Sequence, residues 1–399
     1  MLVRPLRSLS SLLLLAVALV AAPAHAKFPG GVGGPVVDPE QPGPFGVGYV
    51  TLIEYDASRD RTFAVDVWYP VDPADAVGPA GAYDLLFAAL ESDVAIADAP
   101  PSGDGPFSLI AFSHGNNGIR FQSAFLAEQL ASHGFVVAAP DHVGNTAIDL
   151  LIPGQTFTVT DRPLDIQFVI TRMLERSADP MDPFFELADP NRIGVAGHSF
   201  GGFTTLAIGS GFLFVPPDPR VLALLPISPA SSGLSDAALS SIFLPTLILG
   251  GTEDTTTPVE PQSARPFELI SGRPLYRVDI QGAGHNSFTD ICAIGAALIE
   301  AGLPPDLLGF LLGNLAEGCS PDLIPIEDAH RISNRYAVSF LKSQVAGDPR
   351  YDRFFEIDDE KNHKGVVFFV ATGCGGGPGG IVFAGMLLFV ARAAGGRRR

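Results

Sequence analysis

The stretch Gly197-His198-Ser199-Phe200-Gly201 decides how the rest of the chain is read. It stands between a short apolar segment, residues 192–197, and a run of small helix-compatible residues from Phe200 to about Gly209. In that setting a G-x-S-x-G string is a sharp strand-to-helix turn that lifts a serine hydroxyl out at the strand's carboxyl end. The flanking glycines let the backbone turn and let neighbouring elements come close. The alternative is an ordinary tight turn; the strand–turn–helix context favours a nucleophile.

Working outward, strands and helices alternate from residue 107 onward. Strands are expected at 107–112, 135–139, 192–197, 221–227, 245–249 and 273–280, and helices at 120–132, 161–176, 200–209, 293–301 and 327–344. In the second helix Ile166, Val169, Ile170, Met173 and Leu174 share one face, and Pro163 sits in the first turn, where its missing N–H costs nothing. Two further strands, 48–55 and 62–69, precede this block, the latter alternating Phe63, Val65, Val67 and Tyr69. Residues 72–106 read as a long Pro/Gly-punctuated loop with one helical turn near 84–90. The pattern is that of a single α/β domain over residues 47–345, a mostly parallel sheet flanked by helices. There is no internal repeat.

A serine hydroxyl needs a histidine to take its proton, and the histidine needs a carboxylate to fix its tautomer. In α/β sheets with this serine turn, the order along the chain is serine, acid, histidine. Asp254 follows the strand 245–249 in Gly250-Gly251-Thr252-Glu253-Asp254, and His285 follows the last core strand in Gly282-Ala283-Gly284-His285. Both therefore fall at strand carboxyl ends, where sites collect in open α/β sheets. Glu253 competes with Asp254, and Asp236 is a distant third. Among the eight histidines, His114, His142 and His198 precede the acid, His133 sits at a helix end, His25 lies too early, and His330 and His363 too late. His198 reads as a filler packed beneath the serine. Two backbone amides should face the oxyanion: that of Phe200, and one from Ser113-His114-Gly115-Asn116-Asn117-Gly118, with Asn116 preferred and Asn117 the alternative.

Composition sets the context. Hydrophobic residues make up 47% of 399 and charged residues 17%, with 44 Gly and 35 Pro, which suits a loop-rich enzyme and not a disordered chain. Residues 1–26 read as a signal peptide, with Arg4 and Arg7, an apolar run 12–22 and Ala24-His25-Ala26 before the cleavage point. The alternative, an uncleaved anchor, is disfavoured because the run falls short of the ~20 residues a span needs. Residues 27–46 form a Gly/Pro-rich leader, 346–373 a C-terminal extension and 374–399 a tail. The net charge is −18, and removing 1–26 and 375–399 deletes six arginines and no acid, leaving a body more acidic still. Such a body repels phosphate backbones and excludes nucleic acid as a partner. In an exported protein Cys292 and Cys319 are a plausible disulfide. It would pin a Leu-rich insert over 287–326 that either walls an acyl pocket or simply packs. The histidines lack paired ligand spacing, so no metal site is expected.

The segments Val67-Trp68-Tyr69-Pro70, Phe112-Ser113-His114-Gly115, Ala138-Ala139-Pro140-Asp141-His142, Gly197-His198-Ser199-Phe200-Gly201-Gly202 and Gly284-His285 resemble the dienelactone hydrolases related to platelet-activating factor acetylhydrolase. The resemblance covers about residues 48–345 and implies the α/β-hydrolase fold and an esterase without metal or organic cofactor. The loop Asp254-Thr255-Thr256-Thr257-Pro258 looks like the acid loop of cutinase-like polyesterases. Two departures stand out. Ser228-Pro229-Ala230-Ser231-Ser232 has no carboxylate where the acetylhydrolase carries its acid, and dienelactone hydrolases proper use cysteine where this chain has Ser199. Cys374, its glycine-rich spacer, the apolar 381–391 and Arg397-Arg398-Arg399 resemble the C-terminal sorting tails of myxobacterial-type surface proteins. That implies processing near Cys374 and attachment at the cell surface; a functionless extension is the alternative.

The sequence thus leads to an exported serine esterase acting on a small-molecule or lipid-like carboxylic ester of short to medium acyl chain. Lipase, polyesterase and peptidase are the alternatives with the same triad. A surface binding protein on a dead hydrolase scaffold is the alternative from another class, and the intact triad argues against it. Oligomeric state is not readable.

Overall fold

Strands that are apolar on both faces need cover on both sides, which dictates a parallel sheet between two helical layers. Phe107–Ser113 and Phe135–Pro140 are such strands, buried along their whole lengths. The computed structural model describes residues 36–85, 88–150, 158–312, 315–356 and 364–371 and has that sandwich form. In chain order the strands are β1 (Gly46–Asp56), β2 (Arg61–Val71), β3 (Ala80–Asp84), β4 (Ala89–Ala97), β5 (Phe107–Ser113), β6 (Phe135–Pro140), β7 (Ala188–His198), β8 (Val221–Ile227), β9 (Thr246–Gly251), β10 (Leu275–Ile280) and β11 (Val366–Val370). The helices are α1 (Ala124–Ser132), α2 (Asp161–Ala178), α3 (Phe200–Ser210), α4 (Asp236–Ser240), α5 (Arg265–Leu269), α6 (Ile291–Glu300), α7 (Pro305–Leu312), α8 (Ala316–Cys319) and α9 (Ile326–Gln344).

One sheet carries the strands in the order β11-β10-β9-β8-β7-β5-β6-β2-β1-β4-β3. From β10 to β6 all neighbours run parallel. The β1–β2 hairpin lies antiparallel beside β6. Alternation along the central strands feeds two cores. Ile110 and Val137 pack with Leu130 of α1 and Phe340 of α9, while Leu109 and Val136 pack with Ile166 of α2 and Leu206 of α3. The chain lays β6 on one side of β5 and β7 on the other. That reversal opens a crevice beyond the carboxyl ends of β5 and β7, where ligands bind in such sheets.

The α/β-hydrolase fold expected from the sequence is the one observed, and several element assignments need correction. Residues 72–106 are not a loop with a helical turn: β3 and β4 pair there as an antiparallel ladder, and β4 joins β1 in parallel. β4 reads Ala-Leu-Glu-Ser-Asp-Val-Ala-Ile-Ala and buries only Ser92 and Ala95, so it carries no alternating apolar signal. Its cohesion is polar, with the Ser92 hydroxyl donating to Glu128 and accepting from the Ala95 amide. The first helix begins at Ala124 and not at residue 120, because the Arg120 amide and guanidinium are both taken by Asp141. In the segment read as an extension, β11 pairs antiparallel with β10.

Cys292 and Cys319 are bonded, 5.7 Å apart at Cα, and tie α6 to α8. The second half of the leader lies on the body. Phe45 meets Phe107 edge-on, and Glu40 pairs with Arg331 and Arg335 at 2.7 and 2.8 Å. The signal-peptide and sorting-tail expectations fall outside the described residues, among which no helix is long and apolar enough to cross a membrane.

Candidate active site

Ser199 is set first by its own backbone. Its φ of 58° lies in the left-handed region that residues other than glycine seldom enter. The Ser199 amide donates to the Ile227 carbonyl at the end of β8, at 2.8 Å, and its carbonyl accepts from the Phe203 and Ala230 amides. A β-carbon on Gly201 would fall 1.8 Å from the Ser113 carbonyl oxygen, and one on Gly197 2.4 Å from that of Gly201. The glycines of the motif are therefore demanded by how closely β5, β7 and α3 meet.

Around that serine the loops after β9 and β10 converge. His285 Nε2 lies 2.9 Å from Ser199 Oγ, and His285 Nδ1 lies 2.9 Å from Asp254 Oδ2. The Thr257 amide and hydroxyl donate to the two Asp254 oxygens at 2.6 and 2.8 Å. Burial pushes the Asp254 carboxyl up, but the His285 and Thr257 hydrogen bonds outweigh it and hold the group below its ordinary 3.8. An ionised Asp254 keeps a proton on His285 Nδ1 and leaves Nε2 to accept from the serine hydroxyl. Such a relay can take the proton as the oxygen attacks an electrophilic carbon. The competing acids are elsewhere. Glu253 is exposed, and Asp236 is exposed and paired with Arg265 at 2.6 Å.

His198 is more than a filler. Its Nε2 donates to the His285 carbonyl at 2.8 Å, and its Nδ1 accepts from the Gln122 amide at 3.0 Å. Burial, and then the neighbouring His285, push it down to about 3, which fixes it as a neutral link. Gln122 Oε1 in turn accepts from the Gly115 amide at 2.9 Å, so one side chain joins the histidine turn to the loop after β5. His114 and His142 are also buried and neutral, driven well below 6.5 by desolvation and then by the Arg162 charge. His114 Nε2 accepts from the His142 amide and Nδ1 donates to the Gly115 carbonyl.

Of the residues expected to give oxyanion amides, Phe200 is the first residue of α3, and Asn116 lines the same cleft as Ser199. Asn117, the alternative, also lines it and has φ 51°. The cleft holds about 290 Å³ and is lined by Ile119, Ile291 and Ile294, with Asn116, Asn286 and Thr289 among its polar groups. Ile291 and Ile294 flank Cys292 on α6, so the disulfide-pinned insert forms part of the cleft wall.

Sequence reasoning missed four supporting side chains: Thr257, Glu317, Asn145 and Arg162. Glu317 of α8 accepts from the Thr255 hydroxyl and, at 2.8 Å, from that of Thr256, bracing the loop that carries Asp254. Thr257 alone was within reach of the sequence, as a hydroxyl three residues past the acid. Asp254, His285 and Glu317 place their ligand atoms within 4.8 Å of one another. Each is already engaged by the relay or the threonines, so a cation there would compete with the serine mechanism.

The description "PET hydrolase-like" belongs to the family model that matches residues 99–296. Cutinase 1 of Thermobifida cellulosilytica is 29% identical over 260 residues, 64% of this chain and 74% of the relative. A cutinase of Thermobifida fusca is 29% identical over 260 residues, covering 64% of this chain and 65% of the relative. A bis(hydroxyethyl) terephthalate hydrolase of Streptomyces coelicolor is 26% identical over 253 residues, 63% of this chain and 62% of the relative. With the α/β-hydrolase fold described above, these likenesses make the chain a serine carboxylic ester hydrolase.

Proposed function

We propose that the chain is an exported esterase that cleaves carboxylic esters of short to medium acyl chain through a Ser199–His285–Asp254 triad. The observation that carries this reading is the unbroken relay from Asp254 through His285 to Ser199, opening on a cleft. Ser199 Oγ attacks the ester carbonyl carbon while its proton passes to His285 Nε2. The carbonyl oxygen, now an oxyanion, is met by the Phe200 and Asn116 amides. The C–O bond to the alcohol breaks as His285 returns the proton to the leaving oxygen. Water then repeats the sequence on the acyl-enzyme and frees the acid. No step in this scheme calls for a metal or organic cofactor.

The acyl preference follows from the cleft. Its volume of about 290 Å³ lies near the low end of the ~300–1,000 Å³ of small-molecule pockets. The aliphatic wall of Ile119, Ile291 and Ile294 fits a short alkyl chain. A polyester substrate is the second reading, favoured by the likeness to cutinases and to a bis(hydroxyethyl) terephthalate hydrolase.

Export through residues 1–26, and retention at the surface through a tail processed near Cys374, complete the reading. The Cys292–Cys319 disulfide supports an oxidising compartment.

The test is hydrolysis of p-nitrophenyl esters from acetate to palmitate, and of a soluble polyester oligomer, by the purified protein and by Ser199→Ala. Turnover should peak at short to medium chains and vanish in a Ser199→Ala protein that still folds. Undiminished hydrolysis in that variant would remove the triad reading, and preference for the oligomer over every monoester would favour the polyester one.

A further inference from the structure

Arg162, in the first turn of α2, is 0% exposed, and among the described residues every hydrogen-bond acceptor of its guanidinium is neutral. Nε donates to the Thr204 hydroxyl of α3 at 3.1 Å, and Nη1 to Asn145 Oδ1 at 2.5 Å. Nη2 donates to the Ser113 hydroxyl at 3.2 Å and to the His114 carbonyl. The guanidinium carbon lies 4.7 Å from the centre of the Phe200 ring. A cation buried without a bonded carboxylate forfeits the hydration that a surface arginine keeps. What this one touches in return is the pair of segments that flank Ser199.

Asn145 extends the contact. It is buried, and its Nδ2 donates to Asn116 Oδ1 at 2.9 Å and to Asn117 Oδ1 at 3.1 Å. The loop after β5 is thus gripped at His114 by Arg162, at Gly115 by Gln122, and at Asn116 and Asn117 by Asn145. The same guanidinium that orients Asn145 packs on Phe200, so one group spans both amides assigned to the oxyanion. Asn117 sits at a left-handed φ of 51°, a region that asparagine enters more readily than most residues.

We propose that Arg162 and Asn145 form a bracket that sets the Asn116 amide against the Phe200 amide, Asn145 being a positioning residue for the oxyanion and not a catalytic one. This rests on the esterase reading of the site. In the bracket Arg162 fixes the rotamer of Asn145 through Oδ1, and Asn145 fixes the loop through Nδ2. Amides preorganised in this way act only on the charge that develops as Ser199 attacks, so their misplacement lowers kcat and spares ground-state binding.

The experiment compares the purified protein with Asn145→Ala and Asn145→Asp on p-nitrophenyl butyrate, and measures inhibition by an alkyl trifluoromethyl ketone, which adds to Ser199 as an alkoxide. Asn145→Asp keeps the acceptor for Arg162 but loses both N–H donors, so it tests the bracket even if the alanine protein fails to fold. Both variants should lose roughly 10- to 100-fold in kcat with KM within about twofold, and ketone affinity should fall by the same factor as kcat/KM. A folded Asn145 variant with kcat within about twofold of the parent, or one whose loss lies in KM with ketone binding unchanged, overturns the bracket. Ser199→Ala separates the two readings. Hydrolysis that survives it removes the esterase site itself, whereas an inert Ser199→Ala beside a fully active Asn145→Ala removes only the bracket.

Discussion

The two sides of the cleft are held by different means. On the proposed acid–histidine side the support is a near-neighbour threonine together with a helix held by a covalent link. Thr257 reaches Asp254 from three residues away, and Glu317 steadies Thr255 and Thr256 from a helix that the Cys292–Cys319 disulfide ties to α6. On the side proposed to hold the oxyanion the support is a buried cation that grips neutral acceptors. Arg162 comes from α2, 48 residues past the His114 carbonyl it holds, with Asn145 between it and the loop. In the proposed mechanism the first arrangement maintains a charge, since Asp254 acts there as a carboxylate held below its ordinary pKa. The second maintains a geometry, since backbone amides carry no charge to tune and can only be aimed. Variants on the two sides should therefore fail in different ways.

The largest effect belongs to the acid side. Asp254→Asn keeps the shape of the group but can present an N–H to His285 Nδ1, which places the imidazole proton on Nε2, where it cannot accept from Ser199. We expect kcat to fall by roughly 10⁴ in a folded protein. A loss under about tenfold, measured on p-nitrophenyl butyrate, would mean that another carboxylate serves His285.

A smaller effect tests whether the covalent support matters to chemistry. In Glu317→Ala both threonine hydroxyls lose their acceptor. Cys292→Ser frees α8 from α6, with a stability cost of about 3 kcal/mol on the loop-entropy account of a cross-link. Both should lower kcat several-fold, and the cysteine variant should also lower Tm by several degrees. If Cys292→Ser lowers Tm and leaves kcat intact, the disulfide stabilises the insert without steadying the acid loop.

What the sequence made legible follows the same division. Ser199, Asp254 and His285 each sit at the end of an apolar strand beside glycines, so motif and pattern point to them together. The core strands were legible for the same reason, each being a run of buried apolar residues such as Phe107–Ser113. β4 was not, because a strand that buries Ser92 and Ala95 and is secured by Glu128 leaves no period to read, and β3 alternates over only five residues with Gly81 and Tyr83 as its buried pair. Arg162 and Asn145 were hidden for a related reason. An arginine in the first turn of an amphipathic helix looks solvent-facing, and only the packing of α2 against β5 and α3 shows the guanidinium wholly buried. Polar groups that act by reaching across the fold have no signature in local spacing.

The smallest effect on turnover concerns Asp290, which joins the two sides. Its amide donates to the Gln122 carbonyl and its carboxylate accepts from the Phe125 amide at 3.0 Å, fastening the start of α6 to that of α1. Burial pushes the carboxyl up to about 7, the Phe125 and Ala124 amides opposing and the Glu128 charge assisting. The folded protein therefore holds a proton there that the unfolded chain, near 3.8, has already released. Across that window the folded state binds more protons than the unfolded one, so this group makes stability fall as pH rises from about 4 to about 7 and then level off. Asp290→Asn carries no such group and still offers an oxygen to the Phe125 amide. The stability of the variant relative to the parent should climb through that window, with a limiting slope of roughly 1.4 kcal/mol per pH unit, and stay flat above it. Denaturant unfolding of both proteins from pH 4.5 to 8.5 reads the difference, and groups common to the two, such as Asp66 and Asp165, cancel. A difference that does not change with pH would mean that Asp290 is ionised throughout, which would make the fastening an ionic cap on α1 in place of a neutral bond between the two sides.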